Sequence, residues 1–206
     1  MRGVSPIEVR LWIGAAGCFA AFAALGAYVT SRPPTRIDLA AGALRGELIP
    51  IAAFFTALGR TLPLLGIALA VLVLSLALRR SVVPVLALVA SQVLAQGAIA
   101  VVKPTYHRMR PDHWLLYHEK DFSFPSGHSA TAIVFYAVLA WLFWQSPLPR
   151  PVAAVAASAA AICVVGLPWS RLALGAHYFT DVVGGLLFGC GWVCVASAIA
   201  LRIGAR

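Results

Sequence analysis

Val82–Val102 reads VVPVLALVASQVLAQGAIAVV and runs directly into Lys103-Pro104. These 21 residues carry no charge, and as a helix they would measure about 32 Å, the thickness of a bilayer's hydrocarbon core. Proline disfavours helical geometry in the residue before it, so the helix is expected to end at Lys103. Comparable apolar runs lie on both sides: Leu11–Thr30, Thr61–Leu78, His128–Trp144, Val152–Leu167 and His177–Leu201. Ser31–Ala57 is different. Pro33-Pro34 stops a helix there, charged and apolar residues are interleaved, and the apolar part Leu48–Leu58 is too short to cross a bilayer, which suits an interfacial helix or a re-entrant piece. The expected fold is all-α: a polytopic bundle of six transmembrane helices with an interfacial helix after the first span. No polar linker divides it, so one domain over residues 1–206 is expected.

Composition agrees. The chain is 61% hydrophobic and 11% charged, about half the charged fraction of a soluble domain. Its net charge of +9 comes from 14 Arg and 2 Lys against 7 acids. In a soluble protein that excess would suggest nucleic acid. Here the cations sit at the ends of apolar segments, where headgroups and topology account for them, and no nucleic-acid partner is expected. Cys18, Cys163, Cys190 and Cys194 all fall in apolar segments, which suits packing and implies no disulfide framework. Leu11–Thr30 is read as a span and not a cleaved signal peptide, because Ala27-Tyr28-Val29 is not a small-x-small cleavage site.

The polar chemistry gathers in three stretches. Lys103 and Arg110-Pro111 follow the third span, Pro125-Ser126-Gly127-His128 opens the fourth, and Ser170-Arg171 with His177 and Asp181 joins the fifth to the sixth. With alternating spans all three fall on one face of the membrane. Lys103, Arg110 and Arg171 could converge on a phosphate, the arginines by their planar forks and the lysine as a point charge. Ser126 reads as an N-cap. The backbone N–H groups after it make an anion site, to which its hydroxyl can add, and Gly127 allows close approach. His177 and Asp181 stand four apart and so would share a helix face. A carboxylate that accepts a hydrogen bond from one imidazole nitrogen leaves the other oriented to attack. His128 would supply a proton to a departing oxygen. No carboxylate cluster suits magnesium or a metal pair, and His107, His113 and His118 have only loose zinc-like spacing, so no metal or cofactor is expected.

The set Lys103-x6-Arg110-Pro111, Pro125-Ser126-Gly127-His128 and Ser170-Arg171-x5-His177-x3-Asp181 resembles the three signature motifs of the type 2 phosphatidic acid phosphatase and vanadium haloperoxidase superfamily. Their order and spacing match over residues 103–181, and no signature position departs. The resemblance implies that Lys103, Arg110 and Arg171 hold phosphate oxygens with help from Ser126 and Gly127. It also implies that His177 is the nucleophile, Asp181 its orienting partner and His128 the acid for the leaving group. The implied activity is a metal-independent membrane lipid phosphatase acting through a phospho-histidine on a phosphatidic acid, phosphatidylglycerol phosphate, polyprenyl diphosphate or lipid A type of substrate. The superfamily's haloperoxidases are soluble, which the spans oppose, and a transporter would leave the motifs without a use. Arg over Lys with abundant Ala suits a GC-rich bacterium, hence an inner membrane. With the amino terminus inside, and the three site cations set aside, seven cations including Arg2 and Arg206 lie inside against six outside, and only Glu8 is acidic inside. The site is then expected to face the periplasm or exterior.

Overall fold

The computed structural model describes residues 5–112, 115–116 and 119–204. Arg2 and Arg206, counted above for orientation, and His113 and His118 of the zinc-like spacing lie outside the described residues. Every regular element described is helical: α1 (Pro6–Thr30), α2 (Arg36–Ala41) with a 3-10 turn after it, α3 (Ile49–Leu58), α4 (Thr61–Ala77), α5 (Val83–Tyr106), α6 (Gly127–Thr131), α7 (Val138–Trp144), α8 (Arg150–Ala173) and α9 (Phe179–Gly204). A π-helical stretch, Ala132–Ala137, joins α6 to α7 in one rod. Among the described residues five helices are long and apolar enough to cross a membrane: α1, α5, the α6–α7 rod, α8 and α9. The second expected span is the shorter apolar helix α4. Helices α2 and α3 meet at 110° and form the irregular piece expected after the first span. Lipid-facing positions are apolar, with Leu62, Val101 and Val165 among the most exposed. A soluble monomer would not tolerate such a surface, and the protein is an integral membrane protein.

The rod α6–α7 is the centre of the bundle. On one side Phe135, Tyr136 and Leu139 pack with Leu64 of α4, Leu88 of α5 and Cys163 and Leu167 of α8. On the other, Ala130 and Val134 pack with Phe22 of α1, Ile99 of α5, Phe124 and Phe188 of α9. Helix α9 approaches the start of α6 so closely that a Cβ on Gly185 would lie 2.3 Å from the Ser126 carbonyl oxygen. Glycine at 185 therefore sets how near the two site-bearing helix starts can come.

Helix α1 starts at Pro6, before the expected Leu11, and three boundaries beside the polar stretches also differ from the sequence reading. Helix α5 continues through Lys103 and Pro104 to Tyr106. The proline falls in the last turns, where it removes a single intrahelical hydrogen bond, and the helix stops at left-handed His107, whose N–H reaches the Lys103 carbonyl. Helix α8 likewise runs through Pro168, so Ser170 and Arg171 are helical and not in a loop. Helix α9 begins at Phe179, which leaves His177 outside it. The closeness of His177 and Asp181 thus comes from the helix cap and not from a shared face. Asp181 is the third residue of α9, and its Oδ2 accepts the Tyr178 backbone N–H at 2.8 Å, one half of a capping box.

Candidate active site

Each of the three polar stretches ends a helix or starts one, and the bundle brings those ends together. A cavity of about 260 Å³ is lined by Lys103, Gly127, His128 and His177, together with Gln96, Glu119 and Asp121. His177 is buried. Its Nε2 is 2.9 Å from Arg110 Nη1, and its Nδ1 is 3.3 Å from Ser123 Oγ and 3.5 Å from Asp181 Oδ2. Arginine has donors and no acceptor. The Arg110 contact therefore requires the lone pair on Nε2 and puts the ring proton on Nδ1, facing Ser123 and Asp181. This is the tautomer a histidine nucleophile needs. Burial, and then the charges of Arg110, Arg171 and Lys103, hold the His177 imidazole well below its ordinary value, so it is neutral at neutral pH.

Asp181 is fully buried. Its Oδ2 also accepts Ser123 Oγ–H at 2.5 Å, and its Oδ1 accepts Arg108 Nη1 at 2.5 Å. His128 sits at the second position of α6, and its Nε2 donates to the Thr56 carbonyl at 3.1 Å. Its Nδ1 has no hydrogen-bond partner among the described residues.

The cations are engaged by acids of the loop before α6. Lys103 pairs with Asp121. Arg110 Nη2 meets Asp121 Oδ1 at 2.5 Å and Glu119 Oε2 at 2.9 Å, and Arg171 Nη2 meets Glu119 Oε1 at 2.8 Å. Two carboxylates thus occupy donors spread over three cations, as anionic oxygens would. Arg171 Nη1 also donates to Thr56 Oγ1 at 2.5 Å, and its buried Nε has no hydrogen-bond partner among the described residues. Burial acts to raise the Asp121 carboxyl, but Lys103 and Arg110 outweigh it and hold it below the ordinary range.

Ser126 is the N-cap of α6 as expected, but it is not among the residues that line the cavity. It is fully buried, its hydroxyl oxygen accepts the Ser129 N–H and Oγ–H, and its own N–H donates to the Asp181 carbonyl. It ties α6 to α9 and stands behind the cavity, while Gly127 lines it. Sequence reasoning missed Asp38, Thr56, Arg108 and Ser123, each buried and bonded to a predicted site residue or to its partner. A buried charge such as Arg108 could have been suspected only had its burial been known. Among the described residues no group of three or more His, Cys, Asp or Glu could hold a metal ion.

Beside the polar cavity runs a larger groove of about 770 Å³ between α4, α5 and the α6–α7 rod, walled by Leu64, Leu65, Val89, Val93 and Phe135. The two share Gly59, Gln96 and His128. A phosphate-sized polar space and a chain-sized apolar one therefore meet at His128.

Residues 82–204 match the model of the PAP2 superfamily. The chain is 38% identical over 118 residues to a lipid A 1-phosphatase of Rhizobium etli, covering 52% of this chain and 46% of that protein. It is 42% identical over 94 residues to phosphatidylglycerophosphatase B of Bacillus subtilis, covering 43% and 44%. These matches span less than half the length of either curated relative. The fold is similar to the crystal structure of a transmembrane PAP2-type phosphatidylglycerolphosphate phosphatase from Bacillus subtilis. The TM-score is 0.75 at 26% identity, covering 92% of this chain and 96% of that one. The chain belongs to the PAP2 superfamily.

Proposed function

We propose that this PAP2-superfamily protein is a lipid phosphatase that releases inorganic phosphate from the phosphate monoester or diphosphate of a membrane lipid through a phospho-histidine on His177. The observation that carries the reading is the His177 ring: its Nε2 lone pair faces Arg110, and its Nδ1 proton faces Ser123 and Asp181. Substrate oxygens take the donors of Lys103, Arg110 and Arg171 that Glu119 and Asp121 now hold, and Arg110 Nη1 turns from Nε2 to a substrate oxygen, which uncovers Nε2. Nε2 then attacks phosphorus, the bond from phosphorus to the lipid oxygen breaks, and His128, entering the step as imidazolium with its second proton on Nδ1, gives that proton to the oxygen. In the second half His128 takes a proton from water, the water oxygen bonds to phosphorus, and the N–P bond breaks to return free His177. The cations stabilise charge on the transferring group, the largest expected catalytic contribution. Lipid chains lie in the apolar groove that meets the cavity at His128.

Purified protein in detergent should release phosphate from phosphatidylglycerophosphate, phosphatidic acid or a polyprenyl diphosphate, with activity retained in EDTA. Phosphate on the protein should be acid-labile and absent from His177→Ala. Full turnover in that variant, or activity that chelator removes and magnesium or zinc restores, would refute the mechanism. The proposed setting is a bacterial inner membrane with the site on the periplasmic or exterior face. A lone cysteine at Glu119 should then react with an impermeant thiol reagent in intact cells, and one at Ser146 only after lysis. The reverse pattern would invert the topology.

A further inference from the structure

The proposed chemistry uses Asp181 but leaves a buried ion network behind it without a task. Arg108 is 7% exposed and Asp38 4%. The Arg108 guanidinium lies over the Tyr178 ring, 4.5 Å from its centroid. One end of its fork, Nη1, donates to Thr180 Oγ1 at 2.6 Å and to Asp181 Oδ1 at 2.5 Å, and the other, Nη2, donates to Asp38 Oδ2 at 2.9 Å. Asp38 in turn accepts the Thr180 N–H and hydroxyl on Oδ1, each at 2.8 Å, and on Oδ2 it caps α2 by accepting the Thr35 N–H. One carboxylate on α2 thus grips both the first turn of α9 and the arginine that holds Asp181. Packing alone does not require this. Burying three charges costs several kcal/mol per ion unless the geometry is excellent, and well-packed apolar residues would hold two helices as well or better.

We infer that Arg108 and Asp38 are positioning residues for the catalytic pair: Asp38 anchors Arg108, and Arg108 pins Oδ1 of Asp181 so that the carboxylate is held from both ends with Oδ2 facing His177 Nδ1. His177 Nδ1 is 3.5 Å from Oδ2, too far to hold the group by itself, and Oδ2 is held by Ser123 Oγ–H and the Tyr178 N–H. Arg108 Nη1 is the donor that fixes the other oxygen, Oδ1. The inference rests on the phospho-histidine reading. It adds to the site a residue, Asp38, that precedes the family-matched region 82–204.

The test is steady-state kinetics of the full-length protein in detergent for Asp38→Asn, Arg108→Lys and Arg108→Gln, each alone and combined with Asp181→Asn. Outer partners of a catalytic group are worth roughly 10- to 100-fold. Asp38→Asn and Arg108→Lys should each lower kcat about 10-fold and Arg108→Gln about 100-fold, with KM within about twofold of wild type. In the Asp181→Asn background the same changes should cost less than about twofold more, because residues that act through one group are not additive. Losses that simply add to Asp181→Asn, losses confined to KM, unchanged kcat in folded variants, or failure of all three single variants to fold would each overturn the inference. Turnover persisting in His177→Ala would instead overturn the phospho-histidine reading itself, so the two failures are distinguishable.

Discussion

Helices α5 to α9 and the residues just beyond their ends carry the groups that would touch a phosphate, whereas the bent pair α2–α3 carries groups that hold those residues in place. Lys103, Arg110, Arg171, His128 and His177 all belong to the first region. From the second, the Thr56 carbonyl accepts a hydrogen bond from His128 Nε2–H, the Thr56 hydroxyl oxygen accepts one from Arg171, and Asp38 accepts one from Arg108. Gly59, just after α3, leaves room for the His128 ring, since a Cβ there would stand 2.3 Å from Cδ2. The first region acts by residue type at short spacing. The second acts by backbone atoms, a missing side chain and partners 70 to 142 positions away. A catalytic centre can thus be written in one half of a chain and depend on the other for its geometry.

If that division is right, damage to the two regions differs in size and kind. The largest loss should follow Arg110→Gln, because on the proposed mechanism Arg110 touches phosphate and nucleophile together. Removing one such donor costs roughly 100- to 1,000-fold in kcat. The pH profile should also move. His177 is held low first by burial and next by Arg110, Arg171 and Lys103, so the acid limb of kcat/KM in wild type should lie below about 6.5. A cation disfavours imidazolium, and removing Arg110 therefore shifts that limb upward, while burial keeps it from returning fully. A limb unmoved in Arg110→Gln would mean that Arg110 does not face the nucleophile.

Gly59→Ala comes next. The His128 ring or α3 must give way by about 1 Å, and misplacement on that scale can cost roughly 100-fold in rate. Thr56→Val should cost about 10-fold by taking away the hydroxyl that orients Arg171, a charge-assisted hydrogen bond worth about 1.5–3 kcal/mol. Both losses should appear in kcat, with the fold intact by circular dichroism. Wild-type rates in both would make α2–α3 a mere plug and erase the contrast.

The same contrast explains what could be read from the sequence. Apolar length gave the helices, and three short motifs gave the cations, the histidines and Asp181, because each motif lies at helix ends or in the short stretch beside them, where a few positions of spacing keep residues near one another. The stops were misjudged at Pro104 and Pro168, since a proline near a helix's end costs one hydrogen bond and the helix can absorb it. His177 was placed on α9 because a separation of four suggests a shared face, whereas the pair meets through the Tyr178 cap. Asp38 and Thr56 were illegible for another reason. Their partners lie across the bundle, and neither a lone aspartate before a helix nor a threonine inside an apolar helix carries a local sign of its bond.

The loop acids make the finest test, because they belong to neither region. Asp121 pairs with Lys103 and Arg110 where substrate oxygens would bind, and those same cations keep its carboxyl ionised across the working pH range. It is therefore a standing competitor for the phosphate. Its side chain is 51% exposed, and exposed pairs are worth about 0.2–1 kcal/mol, so displacing it is easy and the effect of removing it is small. Asp121→Asn keeps the shape and drops the charge. It should lower KM for a lipid phosphate by about two- to fivefold and tighten inhibition by vanadate to a similar degree, with kcat nearly unchanged. A KM that rises instead would show that Asp121 holds Lys103 and Arg110 in their binding geometry, which would place the loop with α2–α3 among the supports of the site.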